Sequence, residues 1–294
     1  MTYIVHGATG AQGAPVLSRL RTSGHSVTAA VRTAASVPEG VDAVSVDLSD
    51  AASLVAAYCD AEGVFVHLPL GSPEQIDAYA DAIVAAVRDA APRRVVISTS
   101  GQIVDDPASP LAAPPTSPVR KLIDGIADTG VSVAVVAPRL YVENLLLPII
   151  AGPAREEGVL RYPLPAGYPV SWSSHADVAD VAVRLLTDST TTGVVSIGHL
   201  PALTGDDLAS AFATLLGRDV VYEAITPEQF GSLILPLFGP ASTGPVVGLY
   251  QALNGLSGNV IPAERSAQEL LGSAPAAVAD RLAQAIALAS NASV

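Results

Sequence analysis

The chain has 294 residues, half of them apolar, and a formal net charge of −13. That length accommodates one large domain or a sheet domain with a smaller lobe. The acidic balance and scattered arginines exclude direct nucleic-acid binding and an anionic lipid surface as partner. The single cysteine, Cys59, excludes an internal disulfide; with no room for a signal peptide before the first strand, the cytoplasm is the expected location.

Tyr3 to Val5 read as a short buried strand, and Pro15 followed by VLSRL as the opening of a helix. Between them, HGATGAQGAP holds Gly7, Gly10 and Gly13 at intervals of three. In a strand-to-helix turn such glycines allow positive φ, let a diphosphate approach the main chain and seat the helix close on the sheet, while the first helical amides face negative charge. The next strand, HSVTAAVR (His25 to Arg32), follows a helix closed by Gly24 at its C′ position. A dinucleotide site is expected.

The second strand ends at Arg32 with no acid beside it. A carboxylate there accepts hydrogen bonds from the adenosine ribose, whereas a guanidinium pairs with a 2′-phosphate, so the expected cofactor is NADP(H). Asp47, in VDLSD, ends the third strand. Two compatible readings stand for it: contact with the adenine amine, or capping of a helix beginning near Ser49.

The alternation continues with helix SDAASLVAAYCD, strand GVFVHLP, helix PEQIDAYADAIVAAVRDA and strand RRVVIST, which predicts a parallel sheet covered on both faces. The Pro-rich DDPASPLAAPPTSP is irregular, and a helix from about Val119 to Asp128 leads to strand VSVAVVAP. Beyond Pro138, YVENLLLPIIAGPAREEG reads as a short helix with a loop, SHADVADVAVRLLTD as an amphipathic helix capped by Ser174, and GVVSIGHL as a buried strand. From Leu203 onward the pattern is mostly helical, and every long apolar run is broken by a charge, a proline or a polar residue, so no membrane span is expected. The predicted fold class is α/β, a Rossmann-type doubly wound parallel sheet with a smaller, mostly helical C-terminal lobe. The expected division is a dinucleotide-binding domain over residues 1–150, rejoined by 170–200, and a lobe from 151–169 and 201–294.

GATGAQG, Arg32, VDLSD, VISTSG and APRLYVENL, with the later ALTGDDLASAFATLLGRDVVYEAITPEQF, resemble the NmrA-like group of atypical short-chain dehydrogenases/reductases over nearly the whole chain. The resemblance implies an NADPH-binding Rossmann-type domain whose cleft with the smaller lobe holds substrate. Members of the group reduce quinones, triphenylmethanes and phenolic ethers, or bind the dinucleotide as regulators without turning it over. Carried over by position, Gly7, Thr9, Gly10, Ala11, Gln12 and Gly13 cradle the diphosphate, and Arg32, Asp47 and Leu48 meet the adenosine end. His67, Leu68 and Pro69 line the cofactor, Ser98, Thr99 and Ser100 stand near the nicotinamide, and Pro138, Tyr141 and Asn144 close over that end. For the His67 imidazole, a polar group satisfied at a strand end is the alternative.

Short-chain dehydrogenases ordinarily set a Tyr and a Lys four residues apart on one helix face, the Lys lowering the phenol pKa. Lys121 is the only lysine here, and Ser117 stands where the tyrosine belongs. The resemblance also aligns Val119 with the family lysine, which leaves Lys121 either catalytic or a solvated residue beside Arg120. Tyr141 and Ser100 are the remaining hydroxyl candidates. A conjugated acceptor delocalises the charge left by hydride and takes its proton from water, so it needs no positioned acid, unlike a simple ketone. The expected activity is hydride transfer from NADPH to a small hydrophobic conjugated acceptor such as a quinone, the alternatives being a non-catalytic NADP(H) sensor and an epimerase or lyase. Trp172, Leu233, Leu237, Phe238 and Tyr250 are candidates to line an apolar cleft or to build the lobe's core. No metal is expected.

Overall fold

The computed structural model describes residues 2–37 and 39–291. Its strands are β1 (Thr2–His6), β2 (Val27–Val31), β3 (Asp42–Ser45), β4 (Ala61–His67), β5 (Arg94–Ser98), β6 (Ser132–Pro138), β7 (Val159–Tyr162), β8 (Gly193–Ile197) and β9 (Val221–Ala224). Seven of them form one sheet in the order β3-β2-β1-β4-β5-β6-β8, every pair parallel. The chain order reverses between β1 and β4. At such a switch point the crevice outside the strand ends is open to a ligand.

The chain divides into two compact units. The first holds residues 1–138, 175–197 and 262–273; the second holds 139–174, 198–261 and 274–294. In the first, α2 (Ala51–Tyr58), α3 (Pro73–Ala90) and α4 (Pro118–Ala127) cover one face of the sheet. Their apolar stripes, Leu54 and Tyr58, Ile83 and Val87, Leu122 and Ile126, are fully withdrawn from water against Val64, Val66, Val95 and Ile97. The helices start where the sequence supplies caps: Asp50, Ser72 and Ser117 each accept a main-chain N–H, and Pro73 and Pro118 occupy first-turn positions where a missing N–H costs nothing. On the opposite face, α1 (Gly13–Thr22) lies beside α6 (His175–Thr187), where Arg19 pairs with Asp180 at 2.6 Å. Arg94, at the start of β5, is buried, and its guanidinium ties the Leu185 carbonyl at 2.9 Å and Ser132 Oγ at 2.7 Å to the Thr191 carbonyl. Outside the main run of this unit, α9 (Ala267–Leu271) packs on β8, and Ser196 bridges to Ser266.

The second unit is not purely helical: β7 and β9 pair in parallel, Val159 opposite Val221. Tyr162, Trp172, Phe230 and Tyr250 form its aromatic centre, with Tyr162 edge-on to Trp172 and its hydroxyl paired with that of Tyr250. Trp172 and Tyr250 are therefore core residues rather than cleft lining, the second of the two readings left open by the sequence. Leu233, Leu237 and Phe238 are exposed. They belong to α8 (Pro227–Asn254), whose length and apolar composition would suffice for a membrane span. It is not one continuous rod. Gly239, at φ 72° and ψ 171°, turns the chain back on itself. The Gln251 amide then donates to Glu228 at 2.7 Å, although a straight helix would hold residues so separated about 34 Å apart. Each arm falls short of the roughly 20 residues that cross a bilayer.

Candidate functional site

The glycine turn between β1 and α1 takes its shape from close approaches that leave no room for side chains. A Cβ on Gly13 would lie 2.3 Å from the Gly7 carbonyl oxygen and 2.4 Å from that of His6. Gly7 adopts φ +57°, and a Cβ there would meet His67 Nε2 at 2.6 Å. Gly10 donates its N–H back to the Gly7 carbonyl at 2.8 Å. No side chain caps α1 and no acid sits in its first turn, so the positive end of the helix faces the crevice without a carboxylate to neutralise it.

That turn opens onto a cavity of about 930 Å³. It is lined by Gly7, Thr9 and Gly10 after β1, Arg32 after β2, Asp47 and Leu48 after β3, and His67 and Pro69 at and after the end of β4. The structure thus gathers residues from the ends of β1, β2 and β4 and from the segment after β3 into one site. Thr33, Gln75 and Tyr79 also line it without having been expected there. Gln75 and Tyr79 stand four residues apart on α3 and so share one face; that spacing, behind the Ser72 cap, was the available signal.

Asp47 faces the cavity but its carboxylate is engaged: Oδ1 accepts the Ser49 N–H at 2.8 Å and the Ser49 hydroxyl at 2.6 Å, which holds it below the usual carboxylate range. The helix that follows is capped by Asp50 instead, so the capping role expected of Asp47 belongs to its neighbour. His67 is buried enough that desolvation lowers its pKa, despite a hydrogen bond to the Leu68 main chain. Its Nε2 has no partner among the described residues. That nitrogen is withdrawn from solvent and abuts Gly7. Leu68 itself packs against the core. His6, one residue before the turn, is fully buried against the Tyr58 hydroxyl at 2.8 Å, and burial pushes its pKa down to about 3.

The end of β5 adjoins the same turn through Gln12. Its Oε1 accepts from Ser98 at 2.7 Å and its Nε2 donates to Ser100 at 2.9 Å. Gln12, expected only as part of the diphosphate cradle, thus sends its side chain to the Ser98–Ser100 segment. Ser98 and Thr99 are buried, Ser100 is half-buried, and the Thr99 hydroxyl has no partner among the described residues.

Lys121 is placed elsewhere. Its ammonium pairs with Asp77 at 2.9 Å and Asp81 at 2.8 Å, and those bonds raise its pKa. With its side chain more than a third exposed, it joins α4 to α3 through surface ion pairs. Ser117, in the position of the missing tyrosine, is the cap of α4, and Val119 is buried. Pro138 is buried at the end of β6, in register with Ile197. Tyr141 and Asn144 belong to the second unit, where Tyr141 bridges to Ser173 and the Asn144 side chain hydrogen-bonds to Tyr162.

Turn, cavity and sheet order agree with the profile of the NmrA-like family, which matches residues 1–248. The chain belongs to the NmrA-like family. This NmrA-like chain is 31% identical over 261 residues to an NAD(P)H azoreductase of Xenophilus azovorans, covering 85% of this chain and 86% of that one. Its fold is similar to that of Citrobacter sp. triphenylmethane reductase in complex with NADP(H), with TM-score 0.79, 19% identity and coverage of 97% and 100% of the two chains. It is also similar to an Escherichia coli NADPH-dependent quinone oxidoreductase in complex with NADPH, with TM-score 0.71, 19% identity and the same coverage. At such identities the two structures speak for the fold.

Proposed function

We propose that the protein is an NADPH-dependent reductase that delivers hydride to a conjugated hydrophobic acceptor, a quinone or an azo or triphenylmethane dye. The observation that carries this reading is the cavity joining the side-chain-free turn at Gly7 and Gly10 to Arg32. A pyrophosphate fits against uncapped amides at the start of α1 where any Cβ on Gly13 would collide with main chain. Arg32, with no acid among the residues around that end except the engaged Asp47, suits a 2′-phosphate. Relatives named as acting on azo compounds, triphenylmethane dyes and quinones support the acceptor class.

When bound, the dinucleotide supplies the hydride, that is, two electrons and one proton equivalent. The chain's own part is positional. The main-chain N–H groups between Thr9 and Gly13 hold the diphosphate and Arg32 the extra phosphate; the Ser98–Ser100 segment faces the acceptor end. With Lys121 bound to α3 and no tyrosine four residues before it, no lysine-activated phenol delivers a proton. The second proton then comes from water, which restricts turnover to acceptors that spread the incoming charge over a conjugated system.

The test is a pair of measurements on the purified protein: titration with NADPH and with NADH, then oxidation of NADPH across quinones, dyes and unactivated ketones. Tighter NADPH binding with turnover of conjugated acceptors alone is expected. Tight binding without turnover of any acceptor would assign the chain to the non-catalytic sensors of its family.

A further inference from the structure

We infer that Gln12 is a positioning residue that orients the Ser100 hydroxyl so that its proton points away from the protein, toward the acceptor. This deepens the reductase reading and rests on it. Three hydrogen bonds close a small ring: the Ser100 N–H donates to Ser98 Oγ at 3.3 Å, Ser98 Oγ donates to Gln12 Oε1 at 2.7 Å, and Gln12 Nε2 donates to Ser100 Oγ at 2.9 Å.

Burial decides the direction of this ring. Were the Gln12 amide turned over, Ser98 Oγ would accept from both Nε2 and the Ser100 N–H, and its own proton would have no acceptor. Ser98 is only 2% exposed, and among the described residues it has no acceptor besides Gln12, so that arrangement strands a buried donor. With the amide as found, Ser98 is satisfied. Ser100 Oγ then accepts from Gln12, and its proton is the one left over, on the half-buried residue. Among the described residues Ser100 Oγ makes no hydrogen bond besides the one it accepts from Gln12.

The backbone agrees. Ser100 stands at φ 55°, a left-handed conformation costly for a residue with a Cβ, and Gly101 follows at φ 94°. Strain of this kind, about 1–3 kcal/mol, persists where surrounding contacts enforce it and gathers at functional sites. The Gln12 bond, reaching 88 residues along the chain, is such a contact. Because Gln12 is also the residue immediately before α1, the segment that cradles the diphosphate directs the hydroxyl at the reacting end. During reduction the acceptor gains a hydride and, from water, a proton. The Ser100 O–H donates a hydrogen bond to the atom on which negative charge develops, and keeps its own proton.

Gln12→Glu separates positioning from mere support. Ionised, the new carboxylate accepts from both serines and draws the Ser100 proton inward; protonated, it donates to Ser100 as the amide did. At saturating NADPH, kcat of Gln12→Glu is expected to fall about tenfold to hundredfold as pH rises through the ionisation of the introduced carboxyl group and to recover below it, a limb the unaltered protein lacks. Gln12→Ala should lose kcat at every pH, and by a larger factor than it loses NADPH affinity, read by nicotinamide fluorescence. A neutron structure of the perdeuterated protein reads the ring directly, with the Ser98 deuteron on Gln12 Oε1 and the Ser100 deuteron directed away from Gln12. A Ser100 deuteron on Gln12 Oε1, a Gln12→Glu profile parallel to the unaltered protein, or a Gln12→Ala defect confined to NADPH affinity would each overturn the inference alone. An unaltered protein that binds NADPH but reduces no acceptor would overturn the reductase reading first, and the inference with it.

Discussion

Gly13 is the residue whose replacement is most sharply constrained, because both atoms its Cβ would strike are main-chain oxygens that cannot swing aside. Gly13→Ala is expected to cost about 1–3 kcal/mol and to abolish NADPH binding, read by thermal melting and nicotinamide fluorescence. Arg32→Ser should weaken NADPH about tenfold and leave NADH nearly unchanged, the loss of one charge-assisted contact to a phosphate. Buried His6 gives a pH signature. Its pKa in the folded protein, about 3, lies below its ordinary 6.5, so the unfolded chain takes up the proton first as pH falls. The stability it contributes is complete above about 6.5 and drains away toward about 3, at up to about 1.4 kcal/mol per pH unit. Urea unfolding at pH 7 and at pH 5 should show that slope in the unaltered protein and a flatter one in His6→Phe. At this scale the shape of the glycine turn and the place of Arg32 at the end of β2 were legible, because both depend on local backbone and strand position. Lys121 was not: its partners, Asp77 and Asp81, lie on another helix, and only packing reveals which carboxylates it meets.

Among the elements, α8 departs furthest from its sequence pattern. The mostly helical pattern gives no sign of a reversal, yet Gly239 and the contacts of Gly231 with Val247 and of Phe230 with Tyr250 fold it into two antiparallel arms. Gly239→Ala would introduce a Cβ that meets nothing within 4 Å, so any loss isolates backbone strain. A loss of about 1–3 kcal/mol in urea unfolding is expected. A glycine in a helical run signals weakness but not direction, and for that reason the reversal was hidden. The pairing of β7 with β9 was hidden for a related reason: four-residue strands carry little periodicity, and their register depends on partners some sixty positions apart. By contrast, α2, α3 and α4 begin where Asp, Ser and Pro announce them, because caps act within one turn.

For the molecule as a whole, alternating strands and helices dictate a doubly wound parallel sheet, and the switch point beside β1 follows from the strand order. The return of residues 262–273 to the sheet unit was not readable, since a five-residue helix against β8 leaves no pattern of its own. The proposed function requires that this cavity hold NADPH so that its hydride reaches a conjugated acceptor. The most direct measurement is a single-turnover experiment: protein with equimolar NADPH is mixed with a quinone, without oxygen, while the absorbance of reduced nicotinamide is followed. A first-order decay that consumes all of the bound NADPH and is slowed by Gln12→Ala is expected. Bound NADPH that keeps its absorbance in the presence of quinones and dyes alike would contradict it.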